Sequence, residues 1–241
     1  MLLLPNVLPG GFATFVDVGQ GDATIIKHRA NQVMMVDVGG KLQLPQPDWA
    51  VPRKTAFQAQ QLAQYLKGNG ITKIKQLVLT HKDVDHIGNL PHFMKLVRVE
   101  TIYVPLGMKQ TEAYERLITP YLGTTEVQEV RAGMRLNDWT TVHHPFEAGT
   151  GENEDSVALL VKVGPKHLMM TGDLDQAGEE RMIQNGQLGK VDLLKLGHHG
   201  SKTSTAPLFV QALKPQIGIV SAGVNNRFGH PNKETLVTTK R

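Results

Sequence analysis

Apolar residues in this chain form short runs of β-strand character, separated by glycine, asparagine and arginine. The first half predicts strands at residues 12–18, 22–27, 32–38, 76–80 and 101–104, and helices at 55–67 and about 87–97. The second half predicts strands at 126–130, 139–143, 156–163, 166–171, 191–196 and 216–221, and helices at about 176–185 and 205–213. This alternation places the chain in the α/β class.

The order of these elements predicts two mixed β-sheets. Helices would cover one face of each sheet and the other faces would pack together, which gives a four-layer αββα sandwich. We predict one domain over residues 1–241, since a chain of this length can build a single large core. Residues 41–55 have three prolines and no apolar period, so they are predicted to form a long loop, either functional or a plain surface insertion, before a helix capped by Thr55.

The loop after strand 76–80 is the most informative segment. Four possible metal ligands lie within six residues, namely His81, Asp83, Asp85 and His86. The loop would emerge at the carboxyl edge of a sheet, where open α/β sheets hold ligands. In an extended segment the first three of these side chains would project to one side. Imidazole and carboxylate bind zinc and manganese, so we predict a metal-dependent hydrolytic site; the alternative is a solvated polar loop.

Other predicted strands also end in polar groups. Asp173 follows strand 166–171, where it is either a carboxylate bridge between two metal ions or the N-cap of the next helix. His198 and His199 follow strand 191–196. Asp17 and Asp37 end two early strands, and we expect them to orient a ligand or to accept backbone N–H bonds rather than to bind metal directly.

The composition of the chain limits which residues can bind a metal and what kind of partner it favours. The chain has no cysteine, so a metal must be held by His, Asp, Glu or Asn. Its apolar stretches are far shorter than the roughly 20 residues that cross a bilayer, and its start lacks the pattern of a signal peptide, so the chain as given is expected to be soluble. The formal net charge of +4 slightly favours an anionic partner such as nucleic acid.

Five motifs in a fixed order resemble the metallo-β-lactamase superfamily. They are Phe15 to Asp22, Asp37 to Gly40, His81-x-Asp83-x-Asp85-His86, Thr171-Gly172-Asp173 and His198-His199-Gly200-Ser201. Within the superfamily they resemble the soluble domain of the ComEC competence proteins, which form the inner channel for DNA uptake. The resemblance covers about residue 12 to about residue 231.

This resemblance implies a site for one or two divalent ions. The first ion would be held by His81, Asp83 and Asp173. The second would be held by Asp85, His86, Asp173 and His199, with His198 as the alternative to His199. Asp83 stands where most members of the superfamily have histidine. The chain also lacks an obvious histidine in the third motif of the superfamily: Asn153 occupies that place, and His144 is a less suitable substitute. The added oxygen donors favour Mn²⁺, or Mg²⁺, without excluding Zn²⁺.

The resemblance also implies a function, namely a metal-dependent phosphodiesterase, most specifically a nuclease that degrades the DNA strand that is not imported. Asp85 and His230 are the candidates for catalysis; His230 could contact phosphate, protonate the leaving oxygen or only pack its loop. Lys202 and Asn226 are candidates for binding the DNA backbone, and Lys202 is alternatively a solvated charge.

The implied partners are DNA, preferably single-stranded, and the membrane channel portion of the same parent protein. The chain would then be one domain of a cell-membrane protein, exposed on the outer face of the membrane. Two other functions stay open at this point. One is a hydrolase of small phosphodiesters or other esters, because one fold hosts many substrates. The other is a nonenzymatic module that guides DNA.

Overall fold

A computed structural model describes residues 11–28, 32–41, 57–186 and 188–239. The predicted cap at Thr55 and nearly all of the predicted loop 41–55 lie outside these ranges. Within them the chain forms two six-stranded mixed sheets. The predicted α/β class is therefore confirmed.

The first sheet contains the strands of the first half of the chain in sequence order. They are β1 (Phe12–Phe15), β2 (Thr24–His28), β3 (Gln32–Val36), β4 (Lys73–Val78), β5 (Arg98–Pro105) and β6 (Glu126–Val130). The β1–β2 and β2–β3 pairs are antiparallel, and β3 to β6 run parallel. The carboxyl ends of these four parallel strands therefore lie at one edge of the sheet.

The second sheet holds the remaining strands, with spatial order β12-β11-β10-β9-β8-β7. They are β7 (Arg135–Asn137), β8 (Thr140–His144), β9 (Ala158–Val163), β10 (Lys166–Met170), β11 (Leu193–Lys195) and β12 (Ile217–Ile219). The strands β10, β11 and β12 are parallel, whereas β7 to β10 are antiparallel. The short strand β7 was not predicted.

Seven α-helices lie within the described ranges. They are α1 (Phe57–Gly68), α2 (Val84–Ile87), α3 (Leu90–Leu96), α4 (Glu112–Leu117), α5 (Gln176–Gln184), α6 (Pro207–Leu213) and α7 (Lys233–Thr238). None of the helices within the described ranges is long and apolar enough to cross a membrane.

Alternation along the strands produces the layers. In β2, Ile25 belongs to the core between the first sheet and helices α1, α3 and α4, while Ile26 belongs to the core between the two sheets. Met35 and Met34 of β3 divide in the same way, because successive strand side chains point to opposite faces. A third core lies between the second sheet and helices α5 and α6. The predicted four-layer αββα sandwich is confirmed.

The helix predicted at about 87–97 corresponds to α3, which begins later than predicted because residue 87 is the end of a separate short helix, α2. Helix α2 ends at Ile87, and α3 begins at Leu90 with Pro91 in its first turn. Proline fits the first turn of a helix but not its interior, so it marks a new start. The break leaves α2 as a single turn.

Candidate metal centre

The predicted ligand segments meet at one edge of the sandwich. His81 and His86 belong to the loop and short helix after β4, Asp173 follows β10, and His199 follows β11. All four side chains are buried. Because β4 lies in one sheet and β10 and β11 lie in the other, the site forms where the strand ends of both sheets converge.

The segment that carries the candidate ligands His81 to His86 is fixed by close backbone packing. The backbone N–H of Val38 donates to the carbonyl of His86 at 2.9 Å. Gly40 approaches α2 so closely that an added Cβ would lie 1.9 Å from the carbonyl oxygen of Val84. Any larger residue at position 40 would therefore push α2, and its ligands, away.

The predicted alternation of ligands is wrong beyond Asp83. Asp83 has an extended backbone, with φ −65° and ψ 147°, but the chain then turns into α2. Asp85 and His86 therefore occupy consecutive positions of a helical turn, roughly 100° apart around its axis. As a result His86 lies against Asp173, whereas Asp85 lies against His199.

Asp37 orients His86, as predicted for an aspartate at this strand end. The Nδ1–H of His86 donates to Oδ2 of Asp37 at 2.7 Å. The backbone N–H and the hydroxyl of Thr80 also donate to the Asp37 carboxylate, at 2.8 and 2.7 Å. These contacts fix the ring of His86 with Nε2 pointing into the centre.

Two further histidines are oriented through Nδ1. Because the Thr80 hydroxyl donates its proton to Asp37, its oxygen accepts from Nδ1–H of His81, at 3.0 Å. The carbonyl oxygen of Ser221 can only accept, so Nδ1–H of His199 donates to it at 2.9 Å. In the neutral ring of His81 the lone pair is then on Nε2, which faces the centre. Nε2 of His199 also faces the centre. Burial lowers the pKa of His199, but its bond to Asp85 and the charges of Asp173 and Asp22 together outweigh burial and raise that pKa above its usual value.

Asp173 is the point on which these nitrogens converge. Its carboxylate oxygens lie 3.9 Å from Nε2 of His81, 3.2 Å from Nε2 of His86 and 3.5 Å from Nε2 of His199. Nε2 of His81, Nε2 of His86 and Oδ1 of Asp173 are buried without a hydrogen-bond partner. Hydrogen-bond acceptors that face one another in a buried site need a cation between them. The residues therefore fit a bound divalent metal.

The protonation states of His81 and Asp173 suit metal ligands, whereas His86 in the metal-free site favours a proton. Burial lowers the pKa of His81 to about 3, and the nearby charge of His86 adds to this, so His81 is neutral at pH 7. Burial raises the pKa of Asp173, but His86, His199 and His81 together outweigh burial and hold that pKa well below its usual range. For His86, burial lowers the pKa, but the Asp173 and Asp37 carboxylates raise it well above the usual value. A metal would therefore compete with a proton at His86.

The two late histidines differ in their position. Nε2 of His199 lies 3.2 Å from Oδ2 of Asp85 as well as close to Asp173, and the ring is buried. His198 is partly exposed, with Nε2 3.7 Å from Asp173 and Nδ1 3.1 Å from the hydroxyl of Thr203. This geometry supports His199 as the ligand, while His198 lies at the mouth of the centre.

The sequence analysis gave no site role to Asp22 or Lys195, which form a buried ion pair beside the centre. One ligand atom each of Asp22, His86, Asp173 and His199 lies within 4.8 Å of the others. A signal was present in the sequence, because Lys195 is the charged residue in the otherwise apolar run 193–196. A lysine buried in a strand requires a partner.

Three residues predicted as possible ligands or supporting groups lie outside the contacts that join His81, His86, Asp173 and His199. Asn153 begins a one-turn 3-10 helix (Asn153–Asp155), and its amide makes none of the bonds that join the cluster. His144 is held by a 2.9 Å bond between Nδ1 and the carbonyl of Ser156. Asp17 is exposed and accepts the backbone N–H of Gly19, which is the structural role expected for it.

A groove of about 720 Å³ opens onto the centre. Its lining includes Asp83, Asp85, Asp173, His198, His199, Lys41, Asn226, Arg227, Phe228 and His230. Lys202 is exposed and is not among the residues that line this groove. Acidic and imidazole groups therefore form the floor of the groove, and the cations Lys41 and Arg227 lie at its sides.

Comparison with known proteins agrees with this fold. The family profile described as the metallo-beta-lactamase superfamily matches residues 16–224. The chain is similar in structure to a CmlA β-hydroxylase mutant, with a TM-score of 0.55, 16% identity and coverage of 95% of this chain and 49% of that one. It is also similar to the metallo-β-lactamase SMB-1, with a TM-score of 0.51, 14% identity and coverage of 77% and 76%. At these identities the likeness shows the fold alone.

Curated relatives are longer proteins. The chain is 30% identical to ComE operon protein 3 of Bacillus subtilis over 100% of its own length and 32% of that protein. It is 29% identical to competence protein ComA of Neisseria gonorrhoeae, covering 95% of this chain and 30% of that protein. It is 28% identical to recombination protein 2 of Haemophilus influenzae, covering 92% and 25%. The chain thus spans between a quarter and a third of these relatives, and the expected likeness to competence proteins is confirmed.

Proposed function

The chain belongs to the metallo-β-lactamase superfamily, and from that premise we propose that it is a metal-dependent phosphodiesterase that cuts DNA. One observation carries the proposal: buried polar atoms of His81, His86 and Asp173 converge without hydrogen-bond partners, and Asp173 lines an open groove. The names of two relatives, a competence protein and a recombination protein, support DNA as the substrate.

In this proposal the centre has two metal sites, which share one ligand. His81, Asp83 and Asp173 would hold one divalent ion, and Asp85, His86, Asp173 and His199 would hold the other. When bound, Mn²⁺ or Zn²⁺, or alternatively Mg²⁺, would activate water for attack and stabilise negative charge on phosphate. The carboxylate of Asp83 makes the first set harder than a histidine would, which favours Mn²⁺.

Asp85 is the residue we propose to act on the attacking water. Its side chain is about a quarter exposed to the groove and lies 3.2 Å from Nε2 of His199. Burial raises the pKa of Asp85, but its bond to His199 and the charges of His86 and His199 together outweigh burial and keep the pKa below its usual value. An ionised carboxylate at this position can accept a hydrogen bond or a proton from water.

His230 is better suited to hold phosphate than to donate a proton. Burial, with the nearby charge of His198, lowers the pKa of His230 below its usual value, so the ring is neutral at pH 7. Its Nδ1 is buried and has no hydrogen-bond partner. A neutral imidazole can donate one hydrogen bond to a phosphate oxygen, and it carries little of the protonated form that a general acid needs.

The cellular setting is also part of the proposal. Because the chain spans at most 32% of these relatives, we propose that it is one domain of a longer membrane protein, exposed on the outer face. There it would act beside the channel portion of the same protein and degrade the strand that is not imported.

We expect an end-labelled single strand to be cut by this chain only when a divalent ion is added, with Mn²⁺ at least as effective as Zn²⁺. Binding should weaken with salt, by about 0.7 log units of affinity per released counterion for each log unit of salt. Cleavage should depend little on sequence, because backbone contacts carry no base information. Gel electrophoresis of the products, with a chelator control, and fluorescence anisotropy measure these effects.

Two outcomes would replace the proposal. If DNA binds with this salt dependence yet no metal supports cleavage, although metal analysis finds occupied sites, the chain is a nonenzymatic guide. If a small chromogenic phosphodiester is hydrolysed but DNA of neither form is cut, the chain is a hydrolase of small esters.

A further inference from the structure

Phe228 is an exposed aromatic side chain on the rim of the groove. It is 54% exposed, although a phenylalanine gains free energy by burial. It lines the same groove as Asp85, Asp173 and His199. An exposed phenyl ring at the mouth of a polar, acidic site points to a ligand with an aromatic face.

The loop that carries Phe228 is held in place by one amide. Oδ1 of Asn226 accepts the backbone N–H groups of Phe228 and His230 at 3.1 and 3.0 Å. Nδ2 of Asn226 donates to the carbonyls of Gly223 and His230 at 2.8 and 2.6 Å. Asn226, predicted to bind substrate, therefore uses its amide to position the loop. The ring is presented in a fixed place, which lowers the entropy cost of binding.

A series of stacked rings connects this rim to the metal centre. The ring of Phe228 stacks on His230, with centroids 5.7 Å apart and planes 24° apart. His230 in turn stacks on His199, with centroids 6.3 Å apart and planes 28° apart. A group that stacks on Phe228 would thus lie next to a phosphate held at the centre.

Arg227 supplies a positive charge beside the ring of Phe228. Its guanidinium lies 4.8 Å from the centroid of the Phe228 ring, and both side chains are exposed. An exposed cation–π contact is weak, at about 0.5–1 kcal/mol, so the arginine can leave the ring for a phosphate. A phenyl ring beside an exposed arginine is a combination that proteins use to bind single-stranded nucleic acids, with a base on the ring and a phosphate on the cation.

We propose that Phe228 is a stacking platform for a nucleobase of single-stranded DNA, and that Arg227 binds the phosphate next to that base. This inference rests on the proposed function, since it names the residue that selects single strands. In a duplex the bases are paired and stacked on each other, so their faces cannot reach Phe228. The platform therefore favours a single strand over a duplex without reading its sequence.

We expect Phe228→Ala to weaken binding of oligothymidine about tenfold, the loss typical of one base–aromatic stack. Fluorescence anisotropy is measured with divalent ions chelated, so that no strand is cut. The same variant should bind an abasic strand of equal length as tightly as the wild type does. Phe228→Trp should retain the wild-type affinity for oligothymidine. Val224→Ala is the matched control, because Val224 is an exposed apolar residue of the same loop.

Steady-state kinetics in Mn²⁺ provide the second measurement. Phe228→Ala should raise KM for oligothymidine about tenfold and change kcat little. The platform is overturned if the alanine variant binds both strands as the wild type does, or if it loses affinity equally for oligothymidine and the abasic strand. A wild type that shows the base-dependent binding but cuts no DNA contradicts the nuclease and leaves the platform standing.

Discussion

We expect Asp173→Ala to lower metal-dependent DNA cleavage by more than about 100-fold, beyond the loss typical for an outer partner of a metal ligand. The reason is its central position, since its two carboxylate oxygens face Nε2 of His81, His86 and His199. Loss of this group would weaken both proposed ligand sets at once. Single-turnover cleavage of a labelled strand measures the effect, and circular dichroism checks the fold.

Asp175→Ala is the matched control for this variant. The sequence allowed Asp173 to be the cap of the following helix, but Asp175 caps α5, with its carboxylate accepting the backbone N–H of Gly178 at 2.8 Å. Removing that cap should cost about 1 kcal/mol of stability and leave cleavage nearly unchanged. Comparable losses of cleavage in the two variants would mean that Asp173 has no special place in the chemistry.

Lys195→Met is expected to destabilise the protein by about 3–5 kcal/mol, because it leaves the carboxylate of Asp22 buried without its partner. Burial raises the pKa of Asp22, but the charges of Lys195, His86 and His199 together outweigh burial and hold that pKa below its usual value, so the pair is charged at pH 7. Urea denaturation of metal-free protein measures the free energy of unfolding. Chelation is needed because a metal bound to the folded state would add its own stability.

Two variants test whether the unpaired charge is the cause. Lys190→Met changes an exposed lysine close in sequence and should alter the free energy of unfolding by no more than about 0.5 kcal/mol. Adding Asp22→Asn to Lys195→Met removes the buried charge and should recover part of the loss. If Lys195→Met is no more destabilising than Lys190→Met, the ion pair contributes little to the fold.

The layers could be predicted from the sequence, because the burial of one or both faces of a strand sets the spacing of its apolar residues. Ile25 and Ile26 are adjacent apolar residues that serve two different cores, and a strand buried on both faces reads as such a run. The short strand β7 and the helix α4 were missed. The three residues of β7 are Arg135, Leu136 and Asn137, which is too little apolar pattern to indicate a strand.

The candidate site could be predicted from the sequence where a possible metal ligand follows the end of a strand. The loop from His81 to His86, Asp173 and His199 could each be located from the strand before it. The ion pair of Asp22 and Lys195 could not, because nothing local indicates which carboxylate meets a lysine from the other sheet. Similarly, the sequence marked Asn226 as polar, but only the folded loop shows its amide bonded to four backbone groups.

The central claim is that the cluster around Asp173 binds divalent metal, and elemental analysis tests it most directly. Metal-stripped wild type and Asp173→Ala are each loaded with Mn²⁺ or Zn²⁺, freed of excess ion and measured for metal per chain. We expect one or two ions per wild-type chain and a clear loss in the variant. A wild-type stoichiometry near zero at saturating Mn²⁺ and Zn²⁺, or equal metal in both proteins, would contradict the claim.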